Sequence, residues 1–417
     1  MDKVVFLTSG PPFPLVGARK IRDAQLIHLL SQRMEVEVIC QLEDELQQSV
    51  LERSVEALPP NVKLTLIKPD RRPLWKKTIE TLKPYHVQKH SSSLAKALKN
   101  RAEKGKLLWV SRLKMGQYIP LARKLGYKVV LDEHQVESNV LLMEAFSSFS
   151  HWPEGVRAAQ TAFYEQRFCS AAHAVVTGAE IDASRLKKLS PKVPVYIIPL
   201  AVNSDSYVTP RGLAGSSLLF FGALDYRHNH EALLWFSREI MPRLKASLGA
   251  EMPRVIVAGT NAPAEVSNKL RHFGIEMYDQ PASLLSLLSD AAVVFFPLRS
   301  GRGNRINILE AMAAGRAVVS TGKGADGLIL KPTYDISIAE HPDSFTSIIL
   351  RLLRDPKLRA EMGENAVKTI QDRFDWKDSL PMLDHLLEKL PGLPNSNHLT
   401  RAPRTTRAPR SRRSPEK

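Results

Sequence analysis

Short apolar runs recur along the chain, alternating with stretches whose apolar residues follow a helical period. The first run, Val4-Val5-Phe6-Leu7-Thr8, has the unbroken character of a strand buried on both faces of a parallel sheet. A loop over residues 9–18 leads into a segment in which Ile21, Ala24, Ile27 and Leu30 share one helical face. Val36-Glu37-Val38-Ile39-Cys40 is the next strand. The same β-loop-α-β unit returns at Leu64-Thr65-Leu66-Ile67, Leu107-Leu108-Trp109-Val110 and Val129-Val130-Leu131. Strands alternating with helices predict a parallel sheet with right-handed crossovers.

Ala174-Val175-Val176-Thr177 and Val195-Tyr196-Ile197-Ile198-Pro199 close the first half, and the polar stretch 203–217, with Pro210, Gly212 and Gly215, reads as a linker. A second series starts at Leu218-Leu219-Phe220-Phe221-Gly222 and continues through the runs at 254–259, 292–297 and 317–321. Helical patterns dominate residues 343–390. The predicted fold class is α/β: two Rossmann-like, doubly wound domains facing a cleft, with C-terminal helices and a basic tail. The expected boundaries are an N-terminal domain at 1–203, a linker at 204–217 and a C-terminal domain at 218–375. A helix at 376–392 is expected to pack back on the first domain. The Pro/Arg/Ser/Thr text of 393–417, with Thr400-Arg401-Ala402-Pro403-Arg404 nearly repeated at 406–410, lacks apolar residues to repay ordering and is expected to be disordered.

Length fits this division, because 417 residues exceed one ordinary core. No apolar run reaches the eighteen residues of a membrane span. The N-terminus enters a strand at once and does not read as a signal peptide. Two cysteines far apart, Cys40 and Cys169, fit a reducing compartment, so a cytoplasmic location is expected. The net charge of +16 is local. Residues 63–106 hold thirteen Lys/Arg against three Asp/Glu, and residues 400–417 hold seven against one. These surpluses of ten and six equal the whole excess, so the basicity belongs to patches.

The densest chemistry lies between Phe295 and Gly315: a buried strand, a Gly-broken loop and a helix. Gly301 and Gly303 let backbone amides approach an anion beside a helix N-terminus, with Arg302 between them. Arg305 offers a two-pronged donor to phosphate. Glu310 stands among Ile308, Leu309, Ala311 and Met312, where a carboxylate needs a partner, and a ribose diol donating two hydrogen bonds is a good one. The alternative is a helix-surface acid beside a surface cation. No Cys/His cluster has metal-ligand spacing. Neither G-x-G-x-x-G after the first strand nor a Walker loop is present.

This segment resembles the donor-site signature of family 4 glycosyltransferases, in the glycine-rich variant of the exopolysaccharide-type branch. Five other stretches resemble family motifs in the expected order: Pro11-Pro12-Phe13-Pro14 with Gly17, Leu131-Asp132-Glu133-His134-Gln135-Val136-Glu137-Ser138, the turn at 221–229, Gly324-Ala325-Asp326-Gly327-Leu328, and Arg373-Phe374-Asp375-Trp376. The resemblance spans about residues 1–390 and implies a GT-B fold with retaining transfer of a hexose from a UDP- or GDP-sugar. No cofactor or metal is required by it. It assigns donor binding to Gly301, Arg302, Gly303, Arg305, Glu310, Gly222 and Arg227. His134 faces the transferred sugar with Glu133 beside it, and Gly17 and Arg19 belong to the acceptor-side loop. The departures are Asn307 for the motif lysine, Ala18 for a second loop glycine, and Ala223 and Asn229 where other branches keep phosphate-binding cations. These leave Arg227 and Arg305 with more of that work.

Arg71-Arg72-Pro73-Leu74-Trp75-Lys76-Lys77, followed by Ile79, Leu82 and Tyr85, combines cations with apolar anchors. Such a segment suits an anionic membrane and a lipid-linked acceptor as readily as an ordinary basic face. The Arg/Pro tail lacks aromatics for stacking bases, so sequence-specific nucleic-acid binding is not expected. Two other readings remain: a sugar-nucleotide epimerase, disfavoured by the lack of paired carboxylates in the donor loop, and a catalytically silent GT-B protein that binds glycan or membrane.

Overall fold

Period-two alternation sorts the first strand's side chains onto two faces. Val4 and Phe6 pack with one helical layer, Val5 and Leu7 with the other. The structure, a computed structural model, describes residues 3–12, 18–41, 58–68, 70, 90–103, 106–147, 152–207, 215–260, 262–279, 281, 283–301 and 305–390. Gly17, Arg302, Gly303, residues 71–89 of the basic segment and the tail at 393–417 lie outside the described residues.

The first sheet has seven strands: β1 (Lys3–Thr8), β2 (Glu35–Gln41), β3 (Val62–Ile67), β4 (Leu107–Ser111), β5 (Lys128–Glu133), β6 (Ala174–Thr177) and β7 (Val195–Ile197). Their order is β3-β2-β1-β4-β5-β6-β7 and every pairing is parallel, with Val4 opposite both Val36 and Leu107. Helix α1 (Ala18–Ser31) lays Leu26, Ile27 and Leu30 on the Val4 face. Helix α2 (Trp152–Ala171) brings Phe168 and Cys169 to the opposite face. The strand order reverses between β1 and β4, the place where open α/β sheets bind ligands at the strands' carboxyl ends.

The second sheet repeats this plan with six parallel strands: β8 (Ser217–Ala223), β9 (Arg254–Thr260), β10 (Glu276–Asp279), β11 (Ala291–Phe296), β12 (Ala317–Ser320) and β13 (Ser337–Ile338). Their order is β10-β9-β8-β11-β12-β13. The reversal falls between β8 and β11. Helix α3 (Arg227–Trp235) follows β8, α4 (Ile306–Ala313) follows β11, and α5 (Pro356–Arg373) packs against α4. Phe220, Phe236, Phe295 and Phe345 form an aromatic centre, with Phe236 and Phe295 stacked at 4.0 Å.

The chain crosses between the domains twice, and the two crossings are tied together. Val202 N–H donates to Phe374 O at 2.9 Å, Trp376 N–H to Val202 O at 3.1 Å, and the Trp376 indole to Ala201 O at 2.7 Å. After the return crossing, α6 (Leu380–Lys389) buries Leu383, Leu386 and Leu387 on the Val4–Phe6 face of the first sheet. Arg33 of the first domain pairs there with Asp384 at 2.7 Å.

Candidate active site

In the second domain, β11 delivers residues 298–301 to the carboxyl edge of the sheet beside the loop that follows β12. Arg305, just ahead of α4, bridges the two loops: its guanidinium donates to Gly301 O at 3.3 Å and Lys323 O at 3.0 Å. Its Nε is buried without a hydrogen-bond partner. Burial lowers the Arg305 pKa, with the charge of Asp326 acting in the opposite direction. Gly301 adopts φ +88°, and a Cβ there would lie 2.7 Å from His228, so glycine is needed for both conformation and space. Burial, then the charge of Arg305, lowers the His228 pKa, so a neutral imidazole borders this loop at pH 7.

Glu310 lies in the second turn of α4 and is 5% exposed. Its Oε1 accepts a 2.6 Å hydrogen bond from the hydroxyl of Tyr207. Burial pushes the Glu310 pKa up to about 7, with the Tyr207 hydrogen bond acting in the opposite direction. At the end of β8, two asparagine amides fix the backbone around Gly222. Asn307 donates to Phe221 O at 3.0 Å and Asn229 to Ala223 O at 2.6 Å. Arg227 projects into solvent, its side chain 79% exposed, and pairs with Glu231 at 2.8 Å; Glu231 also accepts from Ser300 of the β11 loop.

In the first domain, a buried chain of polar groups lies at the carboxyl ends of β1, β4 and β5. His134 Nε2 lies 3.0 Å from Asp132 and 3.5 Å from Asp23. Asp23 accepts from Thr8 at 2.7 Å and Ser111 at 2.5 Å. Burial alone would lower the His134 pKa, but Asp132 and then Asp23 outweigh it and raise it. Asp132 and Glu133 leave β5 on opposite faces. Asp132 meets Arg22 of α1, whereas Glu133 is buried with an unpartnered Oε2 on the α2 side, near Glu165 and Cys169. Burial raises the Glu133 pKa well above the usual range, as do the charges of Glu137, Glu165 and Asp132. Arg112 follows β4 with φ 69°, an uncommon conformation outside glycine, and donates to the Ser9 hydroxyl. Arg19 is exposed on the first turn of α1.

Each Rossmann-type sheet has a switch point, and Gly301, Arg305, the N-terminus of α4 and the buried Glu310 lie together at the second. Residues 215–355 match the Glycosyl transferases group 1 family model. An uncharacterized glycosyltransferase of Methanocaldococcus jannaschii is 30% identical over 92 residues, 22% of this chain and 24% of that protein. An uncharacterized 44.6 kDa protein in the cps region of Klebsiella pneumoniae is 27% identical over 177 residues, 40% of this chain and 44% of that protein. The matches thus span from about a quarter to under half of these curated relatives. Among solved structures, the fold is similar to sucrose-phosphate synthase of Thermosynechococcus elongatus, with TM-score 0.69, 16% identity and 94% and 99% of the two chains covered. HepE of Anabaena in complex with UDP and glucose gives TM-score 0.65 and 14% identity, covering 94% and 100%. The architecture, two parallel-sheet Rossmann-like domains, is similar to that of the GT-B glycosyltransferases.

Within the group 1 match, Gly222, Gly301, Arg305 and Glu310 gather at the carboxyl edge of the second sheet, and Arg227 stands outside it behind Glu231. The acid paired with His134 is Asp132, and Glu133, which the resemblance sets beside His134, is turned to the α2 side. Side-chain alternation explains the difference, because the residue adjoining a histidine at a strand end faces away from that histidine's partner across the sheet. Asn307 serves the backbone of β8 through its amide. Tyr207 was missed because it falls in the stretch read as linker. Residues 204–207 of that stretch form a 3-10 turn, and Tyr207 is the one aromatic among the polar residues 203–217.

Proposed function

We propose that the chain is a retaining glycosyltransferase that moves a hexose from a nucleotide-sugar donor, UDP- or GDP-linked, to a saccharide or lipid-linked acceptor. The observation that carries this reading is the placement of Glu310 and Arg305 on one helix and its cap, at the switch point of a group 1 domain. Glu310 accepts hydrogen bonds from the ribose diol. Arg305, with its unpartnered Nε, and the amides near Gly301 and Gly303 meet the diphosphate. Negative charge grows on the leaving nucleoside diphosphate as the glycosidic bond breaks, and donors fixed in advance stabilise that transition state without reorganising. His134 presents its remaining ring nitrogen to a sugar hydroxyl while Asp132 holds the other.

A role in surface or exopolysaccharide synthesis suits the acceptor class, and the relative from the Klebsiella cps region supports it. None of the described helices is long and apolar enough to cross a membrane. Contact with a lipid-linked acceptor then falls to the basic segment 63–106 at an anionic membrane surface. A catalytically silent donor-binding protein is the second reading; it is favoured by Asn307, whose amide is spent on Phe221 O where a cation would face the donor.

One assay separates these readings: incubation with UDP-, GDP- and ADP-sugars, scoring nucleotide release with and without acceptor saccharides. Transfer or slow hydrolysis supports the enzyme, and binding without turnover supports the silent protein. An isomerised donor would replace both with an epimerase. Glu310→Gln is expected to weaken donor binding at least tenfold, and unchanged affinity removes Glu310 from the site.

A further inference from the structure

We propose that Tyr207 is a positioning residue for Glu310, a hydroxyl carried by the interdomain crossing that holds one carboxylate oxygen so that the other faces the donor's ribose; this rests on the donor-site reading above. Tyr207 ends a 3-10 turn, Ser204–Tyr207, that is pinned to the return crossing. Ser204 N–H donates to Asp375 Oδ2 at 3.3 Å, and its hydroxyl donates to the same oxygen. Asp205 pairs with Lys377 at 2.9 Å. Behind the turn, the Val202–Phe374 and Trp376–Val202 backbone bonds fasten it to the return crossing. The turn therefore cannot drift independently of residues 374–377, and the phenol it carries packs against the core of the second domain.

A lone buried carboxylate on a helix is poorly placed to choose a rotamer by itself. An ionised carboxylate accepts about four hydrogen bonds. One strong donor at 2.6 Å fixes its plane and leaves Oε2, with part of Oε1, for two ribose hydroxyls. The same bond favours the ionised form, which is the form that accepts from a diol. Tyr207 thereby acts on the donor only through Glu310. Because it sits on the crossing, a change of domain orientation that moves residues 201–207 also moves the donor's anchor.

The test is donor affinity as a function of pH in the full chain. UDP-glucose, UDP-N-acetylglucosamine, GDP-mannose and ADP-glucose are titrated calorimetrically, and the tightest is followed from pH 5.5 to 8.5 for the wild type, Tyr207→Phe and Glu310→Gln. Wild-type affinity is expected to rise through about pH 7, and Glu310→Gln to be weak and flat. Tyr207→Phe keeps the ring and loses the hydroxyl. Its midpoint should move up by about one pH unit, with roughly tenfold weaker binding below pH 7 and a gap that narrows toward pH 8.5. A Tyr207→Phe curve superimposed on the wild type, or lowered equally at every pH, overturns the positioning role while leaving the donor reading intact. Glu310→Gln binding like the wild type, or no binding of any donor, removes the donor reading and this proposal with it.

Discussion

The guanidinium of Arg22 grips both carboxylate oxygens of Asp132, at 2.7 and 3.3 Å, and neither side chain has any exposure to solvent. Arg22 also donates to Ile198 O, so one cation joins α1, β5 and the segment leading into the interdomain crossing. Burial would raise the Asp132 pKa, but Arg22 and then His134 hold it at about 2. Removing the cation leaves a buried anion with only a histidine beside it. Arg22→Met is expected to cost about 3–5 kcal/mol by urea unfolding at pH 8, and adding Asp132→Asn should recover part of that loss. An additive double mutant would show that the pair acts as two separate residues.

His134 allows a test in the opposite pH direction. Its folded pKa is raised above the usual 6.5 by Asp132 and Asp23 against the effect of burial. A cation whose pKa is raised by folding contributes stability that is complete below its unfolded value and disappears as pH rises through the folded value. His134→Gln should therefore lose more stability at pH 5.5 than at pH 9, measured by chemical denaturation at both. An equal loss at the two pH values would mean that the imidazolium gains nothing from its carboxylates.

For Glu310, function and stability are expected to pull apart. Its carboxyl ionises near pH 7 in the folded chain, against 4.5 unperturbed, so the folded state disfavours the ionised form. Folding free energy is lost as pH rises from about 4.5 to 7, on the order of 3 kcal/mol for the full shift. Glu310→Gln keeps the shape and an acceptor for Tyr207 while removing that cost. The variant should melt several degrees higher than the wild type at pH 8 and by a smaller margin at pH 5, in the same preparations in which donor binding is lost. A lower melting temperature at pH 8 would show that the charge is stabilised in the unliganded fold by something other than Tyr207.

The parts of this molecule that were legible in the sequence are those written in short-range pattern. The runs at Val4, Leu107 and Val129 are strands because residues buried on both faces of a parallel sheet leave no room for alternation. That Glu310 has a partner was legible because a carboxylate inside an apolar helix is costly without one. Partnerships across long sequence distance were not legible. Tyr207 reaches Glu310 across 103 positions and Arg22 reaches Asp132 across 110, and neither residue type at those places signals its partner. The polar character of residues 203–217 gives no sign of the turn at 204–207, which is pinned by Asp375, a residue beyond the entire second sheet. Asn307 shows the same limit: its amide supports Phe221 O, a backbone group that sequence comparison with a motif lysine does not reveal.

Glycines supply a final test, because two of them differ in what a methyl group would meet. A Cβ on Gly259 of β9 would stand 2.1 Å from Gly222 O and 2.7 Å from Leu224 Cγ. The first contact is backbone in a neighbouring strand, held from its other side by the Asn307 and Asn229 amides, so it cannot swing away as a side chain would. Gly259→Ala is expected to cost about 1–3 kcal/mol and to displace the end of β8, weakening donor binding beyond what the stability loss explains. In contrast, Gly155 of α2 has only Ala145 Cβ near, at 3.8 Å. Gly155→Ala should stabilise the helix by about 0.5–1 kcal/mol and leave donor affinity unchanged. Thermal melts together with donor titrations of both variants decide the matter. Equal donor affinity in Gly259→Ala and the wild type would place the end of β8 outside the donor site, whatever the melting temperatures show.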